Sequence, residues 1–100
     1  MSPLTEMAEI FHLMGDVNRL HILLACLDKP VPVTELANQL GLSPSLVSHH
    51  LRLLKASRLL RAERQGKQIF YCVDDDHVRC ILKDMQVHLS DRCLTHEDEG

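Results

Sequence analysis

Four side chains near the C-terminus have the types and spacing that bind a transition-metal ion: Asp75, His77, His88 and Asp91. Imidazole nitrogens and carboxylate oxygens are common ligands of Zn²⁺ and Co²⁺. The stretch from 75 to 91 also has the i, i+3, i+4, i+7 apolar spacing of an amphipathic helix. The apolar residues are Val78, Ile81, Leu82, Met85 and Leu89. The sequence therefore predicts four metal ligands along one helix.

A single helix cannot bring these four side chains to one ion. His88 lies only about 20° around the helix axis from His77 but roughly 16 Å further along it, whereas a zinc ligand lies about 2 Å from the metal. Two antiparallel copies of the helix remove the difficulty, because both pairs are centred near Leu82 and Lys83. A two-fold axis there predicts a homodimer with two equivalent sites. Each site takes Asp75 and His77 from one chain and His88 and Asp91 from the other, and the apolar stripe forms the interface.

The same residues also allow a simpler interpretation. Histidine and aspartate are common on solvated helix surfaces, and an aspartate at a helix start caps free N–H groups and complements the helix dipole. We expect one of Asp74, Asp75 and Asp76 to cap this helix in either case.

The composition indicates one small domain of 100 residues. Its four cysteines form no CxxC pair, which favours a reduced, cytoplasmic protein over a disulfide scaffold. They are Cys26, Cys72, Cys80 and Cys93. No segment approaches the roughly 20 apolar residues of a membrane span, so we expect no membrane partner. No nucleophile–base pair or phosphate-binding glycine loop is evident, so we do not expect an enzyme.

Charge is unevenly distributed, although the net charge is −3. Residues 48–67 contain six basic side chains and one acidic side chain, whereas residues 74–100 contain eight acidic and three basic ones. A basic middle segment favours one surface that meets nucleic-acid phosphates, and an acidic end favours another that meets cations.

Helix and turn signals place the remaining elements. We predict helices over 3–13, over 17–26 with Asp16 as cap, and over 35–40 with Thr34 as cap and Gly41 as stop. A further helix has Ser43 as cap and Pro44 at its first position, and runs to about Ser57. Residues 29–32 form a stiff connector. A turn at Gln65 and Gly66 joins two short strands into a β-hairpin. The prediction is a mostly α fold with a small hairpin, which dimerises through its terminal helix.

The order of these elements predicts a winged helix-turn-helix in a single domain. The helix-turn-helix covers 34–57, the wing 59–73 and the dimer helix 75–92. The second helix of the motif enters the major groove of DNA, so its polar residues are candidate contacts, and its buried side holds Leu46, Val47, Leu51 and Leu54. For base edges these candidates are Ser43, Ser45, Ser48, His49 and His50. For phosphates they are Arg52 and Lys55, and at the wing tip Arg64, Gln65 and Lys67.

With this combination of motifs, the chain resembles the ArsR/SmtB family of metal-responsive transcriptional repressors over almost its whole length. The resemblance rests on residues 15–20, 33–36, 42–51, 64–67 and 75–78, with His88. The wing and last helix are most similar to the CzrA-like zinc/cobalt sensors of the family. The resemblance implies a homodimer that binds double-stranded operator DNA when metal-free, and releases it when Zn²⁺ or Co²⁺ binds at the paired last helices. It also implies that His88 reaches a main-chain carbonyl near Arg58.

Two departures from the family pattern bear on the choice of metal. Asp91 stands where CzrA-like chains have histidine, and residues 35–40 contain no cysteine, so we do not expect a thiolate site for arsenic, cadmium or lead there. Cys93 and His96 would instead suit a nickel or cobalt sensor. Sensing of thiols or persulfides through Cys80 or Cys93 is a further alternative. A zinc-binding module without DNA and a winged helix that binds only protein are the remaining ones.

Overall fold

The computed structural model describes residues 2–99 of the chain, and the side chains of residues 2–91. Its helices are α1 (Pro3–Met14), α2 (Val17–Ala25), α3 (Val33–Leu40), α4 (Pro44–Ala56) and α5 (Asp76–Glu99). Its strands are β1 (Val31–Pro32), β2 (Leu60–Gln65) and β3 (Gln68–Val73). The predicted mostly α fold with a β-hairpin is confirmed. The last helix continues beyond the predicted end at residue 92.

Short-range hydrogen bonds determine where most helices begin. The Ser2, Asp16 and Ser43 side chains each accept a hydrogen bond from the backbone N–H three residues later. Such caps satisfy N–H groups that have no partner within the helix. The caps predicted at Asp16 and Ser43 are confirmed, but the one at Thr34 is wrong. Helix α3 begins at Val33 with Pro32 before it and no side-chain cap, because the preceding residues belong to a strand.

The sheet has three antiparallel strands in the order β1-β3-β2. Residues 29–32, predicted as a connector, contribute the edge strand β1, in which Val31 is paired with Tyr71. Proline is tolerated at a sheet edge, because no neighbouring strand needs its missing N–H group. The hairpin between β2 and β3 turns at Gly66, whose φ is 64°. The strand pairing places the basic wing tip at the far end of the hairpin from the core.

One core holds the helices and the sheet together. Its fully buried side chains come from α2, β1, α3, α4 and the two hairpin strands or their immediate ends. They include Ile22, Leu23, Val31, Leu36, Val47, Leu51, Leu54, Leu59, Leu60 and Val73. Leu82 joins this core from α5. The N-terminal third of α5 is therefore anchored to the core that the helix-turn-helix shares.

Left-handed backbone ends both helices of the helix-turn-helix. Gly41 has φ of 68° and Arg58 has φ of 63°. At the end of α4, Arg58 N–H binds Lys55 O at 3.0 Å and Leu59 N–H binds Leu54 O at 2.9 Å, the pattern of a Schellman motif. Glycine adopts this conformation without strain, whereas arginine does not.

Substitutions at these two positions should have different effects on stability. We expect Gly41→Ala to lower the free energy of unfolding by about 1 kcal/mol through backbone strain alone, since an added Cβ would meet no atom within 4 Å. Arg58→Gly should leave stability unchanged or raise it. Urea titrations at one protein concentration measure both changes. A loss of stability in Arg58→Gly equal to that in Gly41→Ala would contradict the account.

Candidate nucleic-acid interface and metal centre

Helix α4 presents a polar outer surface that continues onto the wing. The exposed residues on this side are Ser43, Ser45, His49, Arg52 and Lys55. Ser48 is half-buried and lines a cleft of about 330 Å³ together with Thr34, Lys67 and Gln68. The cleft lies between the two helices of the motif and the hairpin. The structure thus brings Ser48 of α4 beside Lys67 and Gln68 near the tip of the wing, where Arg64 and Gln65 are also exposed.

Two residues of α4 lie on the opposite side from that predicted. Leu46, predicted to be buried, is 40% exposed, and His50, predicted to contact DNA, is only 8% exposed. The placement of His50 on the outer surface is therefore wrong. Val47, His50, Leu51 and Leu54 follow the i, i+3, i+4, i+7 spacing that defines one buried side. Leu46 lies about 100° from Val47, outside that stripe. The helical phase would have located His50, whereas its residue type suggested the surface.

The buried His50 ring lacks a full set of partners. Its Nδ1 atom is buried and has no hydrogen-bond partner among the described residues. Burial lowers the pKa of His50, an effect that the nearby Asp16 carboxylate partly opposes and that Arg19 and His49 reinforce. The neutral ring is therefore favoured in the folded protein. His50 is therefore a buried residue of α4 and not an exposed DNA contact.

The four candidate metal ligands lie on the exposed surface of α5 and just before it. Asp75, His77, His88 and Asp91 are all exposed. Asp75 also caps the helix, because its Oδ1 accepts a hydrogen bond from Val78 N–H at 2.8 Å. This confirms the expected aspartate cap and leaves Oδ2 without a hydrogen bond to the described residues. One carboxylate can therefore both cap the helix and donate a ligand oxygen.

A single copy of the chain does not assemble a metal site in its described part. Among those residues, no three His, Cys, Asp or Glu side chains are grouped closely enough to hold an ion. The spacing along α5 explains this, because eleven residues of helix span roughly 16 Å. Any site built from these ligands therefore needs a second copy of α5. The suggested ligands Cys93 and His96 lie outside the residues whose side chains are described.

The remaining cysteines differ in accessibility. Cys26 and Cys72 are buried, and Cys80 is exposed. Burial raises the pKa of the Cys26 thiol to about 12, and the nearby Cys72 and Glu35 add to the rise. Because the thiolate is the reactive form of cysteine, Cys26 is unreactive near neutral pH.

Helices α1 and α5 leave an apolar surface uncovered, which we call the α1–α5 face. Its large exposed side chains are Leu4, Met7, Phe11, Ile81, Met85 and Leu89, between 44% and 76% exposed. A groove of about 520 Å³ runs between the two helices and is lined by Met7, Phe11, Val78 and Ile81. Contiguous apolar surface of this kind marks an interaction site. The sequence predicted the apolar stripe on α5, which forms one half of this face. It did not predict the half that α1 contributes.

Comparisons with known proteins show similarity to bacterial regulatory proteins. Residues 16–62 match the family described as "bacterial regulatory protein, arsR family". The chain is 38% identical to the HTH-type transcriptional regulator KmtR of Mycobacterium tuberculosis, over 76% of this chain and 58% of KmtR. It is 31% identical to a cadmium resistance transcriptional regulatory protein, the CadC homolog of Staphylococcus aureus, over 83% of this chain and 69% of that protein. Both are regulators, in agreement with the expectation that the chain is not an enzyme.

A solved structure supports the architecture. The homodimeric winged helix-turn-helix DNA-binding domain of Mb0332 from Mycobacterium bovis superposes with a TM-score of 0.82 at 26% identity. The match covers 93% of this chain and 85% of that one. The predicted winged helix-turn-helix fold is confirmed. Within the described residues, no helix combines the length and hydropathy needed to cross a membrane.

The buried histidine makes stability depend on pH. In the unfolded chain His50 binds a proton below its ordinary pKa of about 6.5, whereas the folded chain resists protonation, so the free energy of unfolding falls as the pH drops below that value. We expect His50→Leu to reduce this fall between pH 7.5 and pH 5, and to leave stability at pH 7.5 unchanged or about 1 kcal/mol higher.

Urea titrations across this pH range test the prediction, with His49→Gln as the control because His49 is the exposed neighbour. The control should retain the wild-type pH dependence. An unchanged pH dependence in His50→Leu would show that the buried ring does not contribute to it.

Proposed function

This chain belongs to the arsR family of bacterial regulatory proteins, and we propose that it is a homodimeric transcriptional repressor that releases its operator DNA on binding Zn²⁺ or Co²⁺. One observation carries this proposal more than any other. Asp75, which caps α5, and His77 in its first turn are exposed, as are His88 and Asp91 further along the helix, on the other side of the buried Leu82. The chain spans 58% of the length of KmtR, so its activity as a repressor is proposed and is not taken over from KmtR.

The proposed DNA interface rests on charge and exposure. The segment 48–67 has six basic side chains against one acidic one, and its basic residues on α4 and at the wing tip are exposed. Arg52, Lys55 and Lys67 are exposed cations, which supports a role in contacting phosphates. Ser45, Ser48 and His49 occupy the early part of α4, the part of a recognition helix that meets base edges. Arg64 and Gln65 extend the interface through the wing. Ser43 has a second role as the cap of α4, because its hydroxyl accepts Leu46 N–H at 3.2 Å.

The proposed dimer uses the α1–α5 face. Packing two copies across this face covers apolar side chains that a single chain leaves in water, and a 100-residue chain gains proportionately from such burial. The similarity to a homodimeric DNA-binding domain supports the same assembly. With the two α5 helices antiparallel, Asp75 and His77 of one protomer come beside His88 and Asp91 of the other.

The proposed ligand set suits a regulatory ion. Two imidazoles and two carboxylates complete the tetrahedral coordination of Zn²⁺ and leave no open position for catalysis. When bound, the ion supplies a cross-link between protomers. The four side chains bind it in their deprotonated forms, so protons compete with the metal and affinity should fall as the pH drops. Similarity to a cadmium resistance regulatory protein supports a metal effector in general, and the donor set favours Zn²⁺ or Co²⁺.

Removing both histidines should abolish the metal response and retain DNA binding. We expect Zn²⁺ to lower the affinity of the wild type for the promoter DNA upstream of its gene at least about tenfold, equivalent to about 1.4 kcal/mol. The His77→Ala/His88→Ala variant should bind that DNA as the wild type does in the presence of a chelator, and show no response to Zn²⁺.

Fluorescence anisotropy with and without Zn²⁺, together with metal stoichiometry, measures both effects. Co²⁺ and Ni²⁺ are titrated in parallel. His21→Ala, which removes an exposed histidine on α2, is the control and should respond like the wild type. A full Zn²⁺ response in the double variant would contradict the proposed site, and a wild type that binds Zn²⁺ but no DNA would contradict repression.

The phosphate contacts predict a specific salt dependence. We expect Arg52→Ala to weaken binding to operator and unrelated DNA alike, by about 1 kcal/mol, and to reduce the slope of log affinity against log salt by about 1. The matched control is Arg61→Ala, because the Arg61 guanidinium is already paired with Glu63 at 3.0 Å. The control should change the slope less. If Arg52→Ala weakened only operator binding, Arg52 would be a base contact instead.

A further inference from the structure

One arginine connects the start of α5 to the body of the domain. Arg79 Nε donates to Leu27 O at 2.9 Å, and Nη2 donates to Val73 O at 3.4 Å. Its Nη1 donates to Asp76 Oδ1 at 2.6 Å, within the first turn of the same helix. Its side chain is 26% exposed. The guanidinium therefore bridges the end of α2, the end of β3 and the first turn of α5.

The two carbonyls that Arg79 binds lie where several elements end. Val73 N–H donates to Cys26 O at 3.0 Å, which connects the end of β3 to the end of α2. Asp74 N–H donates to Leu59 O at 3.3 Å, immediately after α4 and its Schellman turn. Arg79 thus contacts a junction that includes the end of the recognition helix. Movement of this junction would reorient α4 relative to the wing, because Leu59 and Val73 at the junction belong to the buried core that packs against α4.

The same arginine is bonded to the proposed metal-binding turn. Arg79 N–H donates to Asp75 O at 3.2 Å, and His77 lies two residues before it. A displacement of Asp75 and His77 would therefore carry Arg79 with it. The planar guanidinium fixes the direction of its hydrogen bonds, so it transmits such a displacement better than a flexible ammonium group.

We infer that Arg79 is a positioning residue that couples the proposed metal site to the DNA-recognition helix through the ends of α2 and β3. This inference rests on the proposed function. A second contact between α5 and the body, Lys83 Nζ to Asp28 Oδ1 at 3.0 Å, joins two well-exposed side chains. Exposed ion pairs are weakened by solvent and salt. Lys83 is therefore the natural control, since it lies one turn further along the same helix.

The test separates metal affinity, DNA affinity and the coupling between them. Zinc affinity is measured by chelator competition, and DNA affinity by anisotropy with chelator and with saturating Zn²⁺. The coupling is the ratio of the two DNA affinities. In Arg79→Ala we expect zinc affinity and metal-free DNA affinity within about threefold of the wild type, and a coupling ratio reduced about tenfold or more. Arg79→Lys should change the ratio in the same direction, and Lys83→Ala should leave it unchanged.

A readout that does not involve metal accompanies these titrations. In the metal-free protein, Arg79→Ala should speed amide hydrogen exchange at Val73 and Asp74, whereas Lys83→Ala should not. If Arg79→Ala does not fold, Arg79→Lys decides the question by the same measurements.

Each outcome has one meaning. A wild-type ratio near one overturns the proposed function, and the role of Arg79 with it. A large wild-type ratio that persists in the Arg79 variants overturns only the role of Arg79. A loss of zinc affinity or of metal-free DNA binding in those variants also overturns it, because Arg79 would then support a site or the fold and not the coupling between them.

Discussion

The rise of an α-helix is the constraint on which the rest of this structure depends. At about 1.5 Å per residue, His77 and His88 lie on nearly the same side of α5 but too far apart to share an ion. The ligand chemistry therefore requires two helices, and the symmetric placement of both residue pairs about Leu82 makes a second copy of the chain the natural source. The uncovered α1–α5 face supplies the apolar surface that such a pairing buries. In the proposed assembly, metal binding and dimerisation would thus depend on the same helix.

Charge is divided between two parts of the chain, which suits two different partners in the proposed function. Basic residues concentrate on α4 and the wing, whereas acidic residues concentrate in residues 74–100. This separation lets one small domain attract phosphates on one surface and a cation on another without the two fields cancelling. The buried Leu82 and the hydrogen bonds of Arg79 connect these surfaces. The proposed effect of metal on DNA binding passes through these contacts.

Local signals in the sequence were sufficient for most of the fold. Asp16, Ser43 and Gly41 act at helix ends through bonds and dihedral angles that span a few residues, so their residue types identify them. Strand β1 was missed because two residues with a proline carry no alternation pattern, and its pairing with β3 bridges distant parts of the chain. The cap predicted at Thr34 is wrong because nothing in the sequence indicates that strand β1 leads directly into α3 at Val33. Leu46 and His50 lie on the opposite surfaces from those predicted, because their positions follow from the helical phase of α4 and not from their residue types. The contact between Arg79 and Leu27 joins residues 52 positions apart, which no local pattern reveals.

Whether each ion is shared between two protomers is tested most directly by mixing two variants that each lack one ligand. His77→Ala and His88→Ala homodimers each lack one ligand at both sites, so neither should bind Zn²⁺ tightly. A heterodimer of the two variants would place both losses at one site and leave the other intact. The account predicts that mixing the two variants under subunit exchange restores tight binding of about one ion per heterodimer. Zinc binding that stays lost on mixing, although heterodimers form, would contradict it.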